Sequence, residues 1–126
     1  MHYLDTSAAV KLLAEERETG ALLAFLTSTD ELLLTSRAGI VELRRVGRRL
    51  GAADRADALA STLAVVELDE TIERVAIGLD PGLRALDAIH LATALAAGSG
   101  LRDFVCYDSK LASAARAHGL SVAAPA

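Results

Sequence analysis

The stretch His2-Tyr3-Leu4-Asp5-Thr6-Ser7-Ala8 decides the fold: a short run fit for a buried strand closes on an acid and gives way to a helical stretch, Ala8 to Leu13. Comparable runs recur at Leu32 to Leu34, Ala64 to Val66 and Phe104 to Tyr107, with a weaker one at Leu120 to Val122. Between them the pattern predicts helices over Glu18 to Thr27, Arg37 to Leu50, Ala53 to Leu63, Glu70 to Gly78, Leu86 to Ala97 and Ser109 to Ala117. Strands separated by helices call for right-handed crossovers and parallel pairing. The expected architecture is α/β, a three-layer α/β/α sandwich around a central, mostly parallel sheet.

Local punctuation agrees with this division. Ser36 is placed to cap the helix that follows it, and Gly51 and Gly119 are suitable helix stops. Asp80-Pro81-Gly82 marks a turn before the sixth predicted helix. No repeat, linker or low-complexity tract interrupts the 126 residues, so one domain over 1–126 is expected, with an Ala-rich tail.

The apolar share is 52%, with two Phe, two Tyr and no Trp, which predicts an aliphatic core and little aromatic surface for stacking on bases. A lone cysteine, Cys106, sits inside an apolar run; it can form no internal disulfide and reads as core. No signal-peptide-like or membrane-spanning run is apparent, so a soluble cytoplasmic protein away from membranes is expected. The net charge of −4 argues against broad, sequence-independent adhesion to nucleic acid. One cationic cluster stands out, Arg44, Arg45, Arg48 and Arg49. It is either a solvated helix face or a guide for a polyanion.

In a parallel α/β sheet, ligands gather beyond the carboxyl ends of the strands. Asp5 and Asp108 both stand at such ends, but so does Asp69, so placement alone does not single out a site. Asp87 opens an otherwise apolar helix, where it is either a cap or dipole partner or a site residue. Glu42 shares a helix face with Arg45 and Arg49, and by spacing alone an exposed ion pair is the simpler reading.

Four segments, Tyr3-Leu4-Asp5-Thr6-Ser7-Ala8, Val41-Glu42-Leu43-Arg44, Leu86-Asp87-Ala88-Ile89-His90-Leu91-Ala92-Thr93-Ala94 and Tyr107-Asp108-Ser109-Lys110-Leu111, resemble the four acidic motifs of PIN domains, in the family's order. The resemblance spans essentially the whole chain and is closest to the VapC toxins of bacterial toxin–antitoxin pairs. It implies that Asp5, Glu42, Asp87 and Asp108 form an acidic quartet, the fourth position being the one that varies most in the family. It also implies a ribonuclease, a cognate VapB-type antitoxin occluding the cleft, and a homodimer.

Crowded carboxylates repel one another, and a divalent cation removes that conflict. Hard oxygen ligands suit Mg²⁺, with Mn²⁺ as substitute, and no His and Cys cluster suits zinc. Such a site is suited to phosphodiester hydrolysis, with Asp5 and Asp87 as principal ligands, Glu42 as ligand or base, and Asp108 acting through water or on a second ion. Thr6 and Ser7 are expected to support the site mainly by N-capping the next helix, and His90 to be a packed histidine bonded to backbone or side chain. His2 and His118 lie outside any cluster, and Lys110 touches either phosphate or solvent. A phosphoryl-accepting receiver domain has similar length and architecture, but it needs a pair of acids after the first strand, where Asp5 stands alone. A PIN fold that only binds a partner is the other alternative. A dinucleotide-binding domain lacks its Gly-rich fingerprint.

Overall fold

The computed structural model describes all residues, Met1 to Ala126. Five short strands, β1 (His2–Leu4), β2 (Leu33–Ser36), β3 (Ala64–Val66), β4 (Asp103–Val105) and β5 (Val122–Ala123), form one fully parallel sheet in the order β3-β2-β1-β4-β5. Helices α1 (Thr6–Val10) and α2 (Thr19–Thr27) join β1 to β2, and α3 (Arg37–Arg49) and α4 (Ala53–Thr62) join β2 to β3. Helices α5 (Glu70–Gly78) and α6 (Ala85–Ala97) carry the chain back across to β4, and α7 (Ser109–Ala117) leads to β5.

The two-residue period of the strands sorts the core into two layers. Tyr3, Leu34 and Phe104 point to one face, where Ile72 of α5, Leu91 of α6 and Leu111 of α7 cover them. Leu4, Leu33 and Val105 point to the other, under Ala8 of α1, Leu22 of α2, Leu43 of α3 and Ala56 of α4. Both layers are mainly aliphatic, as the composition predicts, apart from Tyr3 stacked on Phe104 with centroids 5.3 Å apart. No helix is long and apolar enough to cross a membrane.

After β1 the chain builds outward to β2 and β3, then returns to place β4 on the other side of β1. The order therefore reverses between β1 and β4, and their carboxyl ends open a crevice there.

Element boundaries shift for identifiable reasons. β2 continues to Ser36 because Thr35 and Ser36 pair with Val65 and Val66, while Thr35 Oγ1 donates to the Leu4 carbonyl at 2.8 Å. β4 stops at Val105, two residues before the predicted end, since the Tyr107 amide donates to Ser7 Oγ at 2.9 Å instead of to a strand. α1 starts at Thr6, directly after Asp5, rather than at Ala8. Ser36 caps α3 through the Gly39 amide at 2.8 Å, and Gly51 and Gly119 follow helices at φ of 68° and 84°, as expected.

Candidate active site

Asp5 is the first residue after β1 and only 3% exposed. Its Oδ1 accepts from the Ala8 amide at 3.0 Å and from Ser7 Oγ at 2.7 Å, and Cys106 Sγ donates to Oδ2 at 3.1 Å. Burial pushes its carboxyl above the ordinary range, and the Ser7, Cys106 and Ala8 hydrogen bonds offset this only in part. No cationic side chain pairs with it.

Glu42 projects from α3 toward Asp5's side of the sheet. Thr6 Oγ1 donates to its Oε1 at 2.7 Å, and His90 Nε2 lies 2.9 Å from the same oxygen. Burial opposes its charge, but effects led by the His90 and Thr6 hydrogen bonds outweigh burial and hold it below the ordinary carboxylate range. His90, 1% exposed, also places Nδ1 2.7 Å from the Tyr3 hydroxyl. A carboxylate only accepts, so Nε2 carries the proton toward Glu42 and Tyr3 donates to Nδ1. A buried chain thus runs from Tyr3 in β1 through His90 in α6 to Glu42. Gly39 permits it: a Cβ there would meet Thr35 Oγ1 at 2.5 Å and His90 Cε1 at 2.9 Å, so only glycine lets α3 approach α6 this closely.

Asp87 stands in the first turn of α6 but caps nothing; the cap position belongs to Arg84, which makes no side-chain cap bond. Its carboxylate instead faces the crevice, with Arg84 Nε 3.2 Å from Oδ2. Asp108 caps α7 through the Leu111 amide at 2.8 Å while lining the same crevice. The cleft, about 380 Å³, collects all four predicted acids, Asp5, Glu42, Asp87 and Asp108, together with Thr6 and His90. Asp69 caps α5 through the Ile72 amide at 2.8 Å and does not line the cleft, so of the strand-end acids only Asp5 and Asp108 are brought together there.

Two expectations are corrected. Thr6 and Ser7 do not cap α1: Asp5 does, which frees their hydroxyls to bind Glu42 and Asp5. Glu42 makes no ion pair with Arg45 or Arg49; its Oε1 is bonded to Thr6 and His90 instead. Lys110 sits on the surface, one of its two expected placements, and its Nζ donates to the Gly82 carbonyl. His90 is buried as expected, yet the partner it packs on is a cleft acid. Cys106 is core, as read, and its thiol additionally holds Asp5. Arg44, Arg45, Arg48 and Arg49 are all exposed. Sequence reasoning missed Tyr3 and Arg84; the three-residue spacing from Arg84 to Asp87 was the one available signal, since it puts both on one helix face.

The donor set is chemically that of a hard divalent cation: carboxylate oxygens, one of them buried without a counter-charge. No three His, Cys, Asp or Glu side chains already close into a cage. Mg²⁺ does not need one, because it keeps several waters and takes one or two carboxylates. The residues fit such an ion.

An all-parallel sheet with four acids around the crevice at its reversal point is the arrangement that the resemblance to PIN domains implies. The PIN domain family model matches residues 2–117, and the chain belongs to that family. Among its relatives, Ribonuclease VapC35 of Mycobacterium tuberculosis (strain ATCC 25618 / H37Rv) is 44% identical over 99% of this chain and 97% of its own. Ribonuclease VapC47 of Mycobacterium tuberculosis (strain CDC 1551 / Oshkosh) is 42% identical over the same shares. The fold is also that of a chain in a toxin-antitoxin complex from Klebsiella pneumoniae, with a TM-score of 0.79, 20% identity and coverage of 100% of this chain and 98% of the other.

Proposed function

We propose that the chain, as a single PIN domain over 1–126, is a cytoplasmic Mg²⁺- or Mn²⁺-dependent ribonuclease, the toxin of a VapBC-type pair. The observation that carries this reading is the convergence of Asp5, Glu42, Asp87 and Asp108 on one cleft. Membership of the PIN family and two full-length relatives named Ribonuclease VapC support it.

Asp5 and Asp87 would hold the ion, and Asp108 would act through water or on a second ion. Bound there, the ion supplies Lewis acidity and neutralises charge growing on the phosphate oxygens. Ser7, Cys106 and the Ala8 amide keep the Asp5 carboxylate fixed, so little reorganisation is needed when substrate arrives. Glu42 orients the attacking water and takes its proton as the new P–O bond forms and the opposite P–O bond breaks, the leaving ribose oxygen taking a proton from solvent. Its depressed pKa makes it a weak base, so its contribution lies mainly in orientation, which Thr6 and His90 secure.

A VapB-type antitoxin that occludes the cleft and a homodimeric state complete the proposal, in line with the toxin-antitoxin complex whose fold this chain shares. Incubation with cellular RNA tests the reading. Discrete fragments that appear with Mg²⁺ or Mn²⁺ and vanish with chelator support it. Cleavage that persists in chelator overturns the metal assignment, and a protein that never cuts is a silent PIN module.

A further inference from the structure

The arginine cluster of α3 runs along two neighbouring edges of the helix, Arg44 with Arg48 and Arg45 with Arg49. Arg44 pairs with Asp57 of α4 at 3.3 Å, and Arg44, Arg45 and Arg48 line a hollow with that acid. Arg45, which reaches both hollows, and Arg49 lie along the neighbouring edge, beside Glu42, and neither forms an ion pair. With Ala38, Val41, Val46 and Leu86 they line a shallow groove between α3 and the start of α6. Glu42 belongs to both this groove and the acidic cleft, and Leu86 precedes the cleft's Asp87, so the two hollows are continuous. Val41 and Leu86, 54% and 44% exposed, give the groove an apolar surface between its charges.

We propose that this groove binds the RNA strand next to the scissile phosphate, with Arg45 and Arg49 on its backbone phosphates and Val41 and Leu86 against the face of a base. The inference rests on the nuclease reading and adds where the strand runs. Charge complementarity carries it. In a chain of net charge −4, two uncompensated guanidinium groups border the one site where a polyanion must approach several carboxylates. Arg45 and Arg49 are two turn-related positions, and the side chains on one helix edge present their donors in a row. An apolar surface flanked by arginines accepts any base face without reading its edge, which makes the groove a strand-positioning element with little sequence preference.

The test uses the full chain and a short fluorescent single-stranded RNA, with binding read by anisotropy in chelator and cleavage read separately with Mn²⁺. Arg45→Gln/Arg49→Gln keeps most of each stem and removes the charges; Arg44→Gln/Arg48→Gln is the control on the other edge. Loss of two phosphate contacts lowers the slope of log affinity against log salt by about 1.4, so the gap from wild type narrows by about sevenfold between about 50 and 200 mM salt. The control pair is expected to keep the wild-type slope, and KM to rise in the first pair more than kcat falls.

Equal losses in both pairs would overturn the proposal, as would an unchanged slope in Arg45→Gln/Arg49→Gln. A change confined to self-association or to affinity for a co-purifying small protein would assign the groove to a protein partner instead. If wild type binds RNA through these arginines yet cuts nothing, the nuclease reading fails and the groove stands; if wild type cuts and the variants bind unchanged, the reverse holds.

Discussion

His90 Nε2 lies 2.9 Å from Glu42 Oε1, and the same imidazole is anchored through Nδ1 to Tyr3 at 2.7 Å. The core of the sheet thereby fixes the orientation of a carboxylate that would otherwise swing freely on α3. His90 is a positioning residue, and its loss should show in turnover. His90→Ala is expected to lower kcat about 10- to 100-fold, the usual range for partners that orient a site group. His90→Gln, which keeps an N–H donor, should recover part of it. Tyr3→Phe leaves a buried nitrogen unsatisfied and should cost about 1–3 kcal/mol of stability. Steady-state kinetics beside thermal melts separate the two effects.

Asp5 gives a pH signature in metal-free protein. Its folded pKa is raised by burial, so the fold favours its protonated form. That contribution is fully present below the ordinary carboxylate pKa and is lost as pH rises through the raised value. Asp5→Asn cannot ionise and keeps an acceptor for Ser7 and Ala8. It should therefore melt above wild type at neutral pH, with the difference closing toward about pH 4. A difference of the same size at both pH values would contradict the burial argument.

Gly39→Ala forces a methyl group against Thr35 Oγ1 and His90 Cε1, both held by hydrogen bonds. Overpacking of this kind costs about 1–3 kcal/mol. The clash also pushes α3 from α6, so activity should fall beyond what the melting shift explains. Kinetics at a temperature where the variant is fully folded checks this.

Much of this was legible in the sequence because short apolar runs and strand-end acids are local patterns. β1, β3, α5 and α7 carry the boundaries read from the chain, and position put Asp5 and Asp108 at strand ends but left Asp69 beside them until the packed cleft excluded it. Glu42 was not legible by spacing, since the residues that turn it from Arg45 and Arg49 are Thr6 and His90, 36 and 48 positions away. The capping exchange at α1 escaped for a related reason. Thr6 and Ser7 are good caps by propensity, but Asp5 comes first and takes the Ala8 amide, and only the site's geometry gives their hydroxyls other work. Tyr3 looked like core and is core; that its hydroxyl meets a histidine needs the packing of β1 on α6.

Arg84 competes with any cation for Asp87, from an exposed position where ion pairs are worth about 0–1 kcal/mol. Arg84→Gln should therefore tighten Mn²⁺ binding by up to about fivefold in calorimetry with RNA absent. Weaker binding would mean that Arg84 positions Asp87 for the ion instead of competing with it.

Single-turnover cleavage of RNA by Asp5→Asn and Asp87→Asn, each shown by melting to be folded, tests the acidic cleft most directly. Loss of a metal-holding carboxylate should slow cleavage about a thousandfold, the rate equivalent of the several kcal/mol that such an ion supplies. Cleavage by either folded variant at the wild-type rate would contradict the assignment of these acids to the reaction.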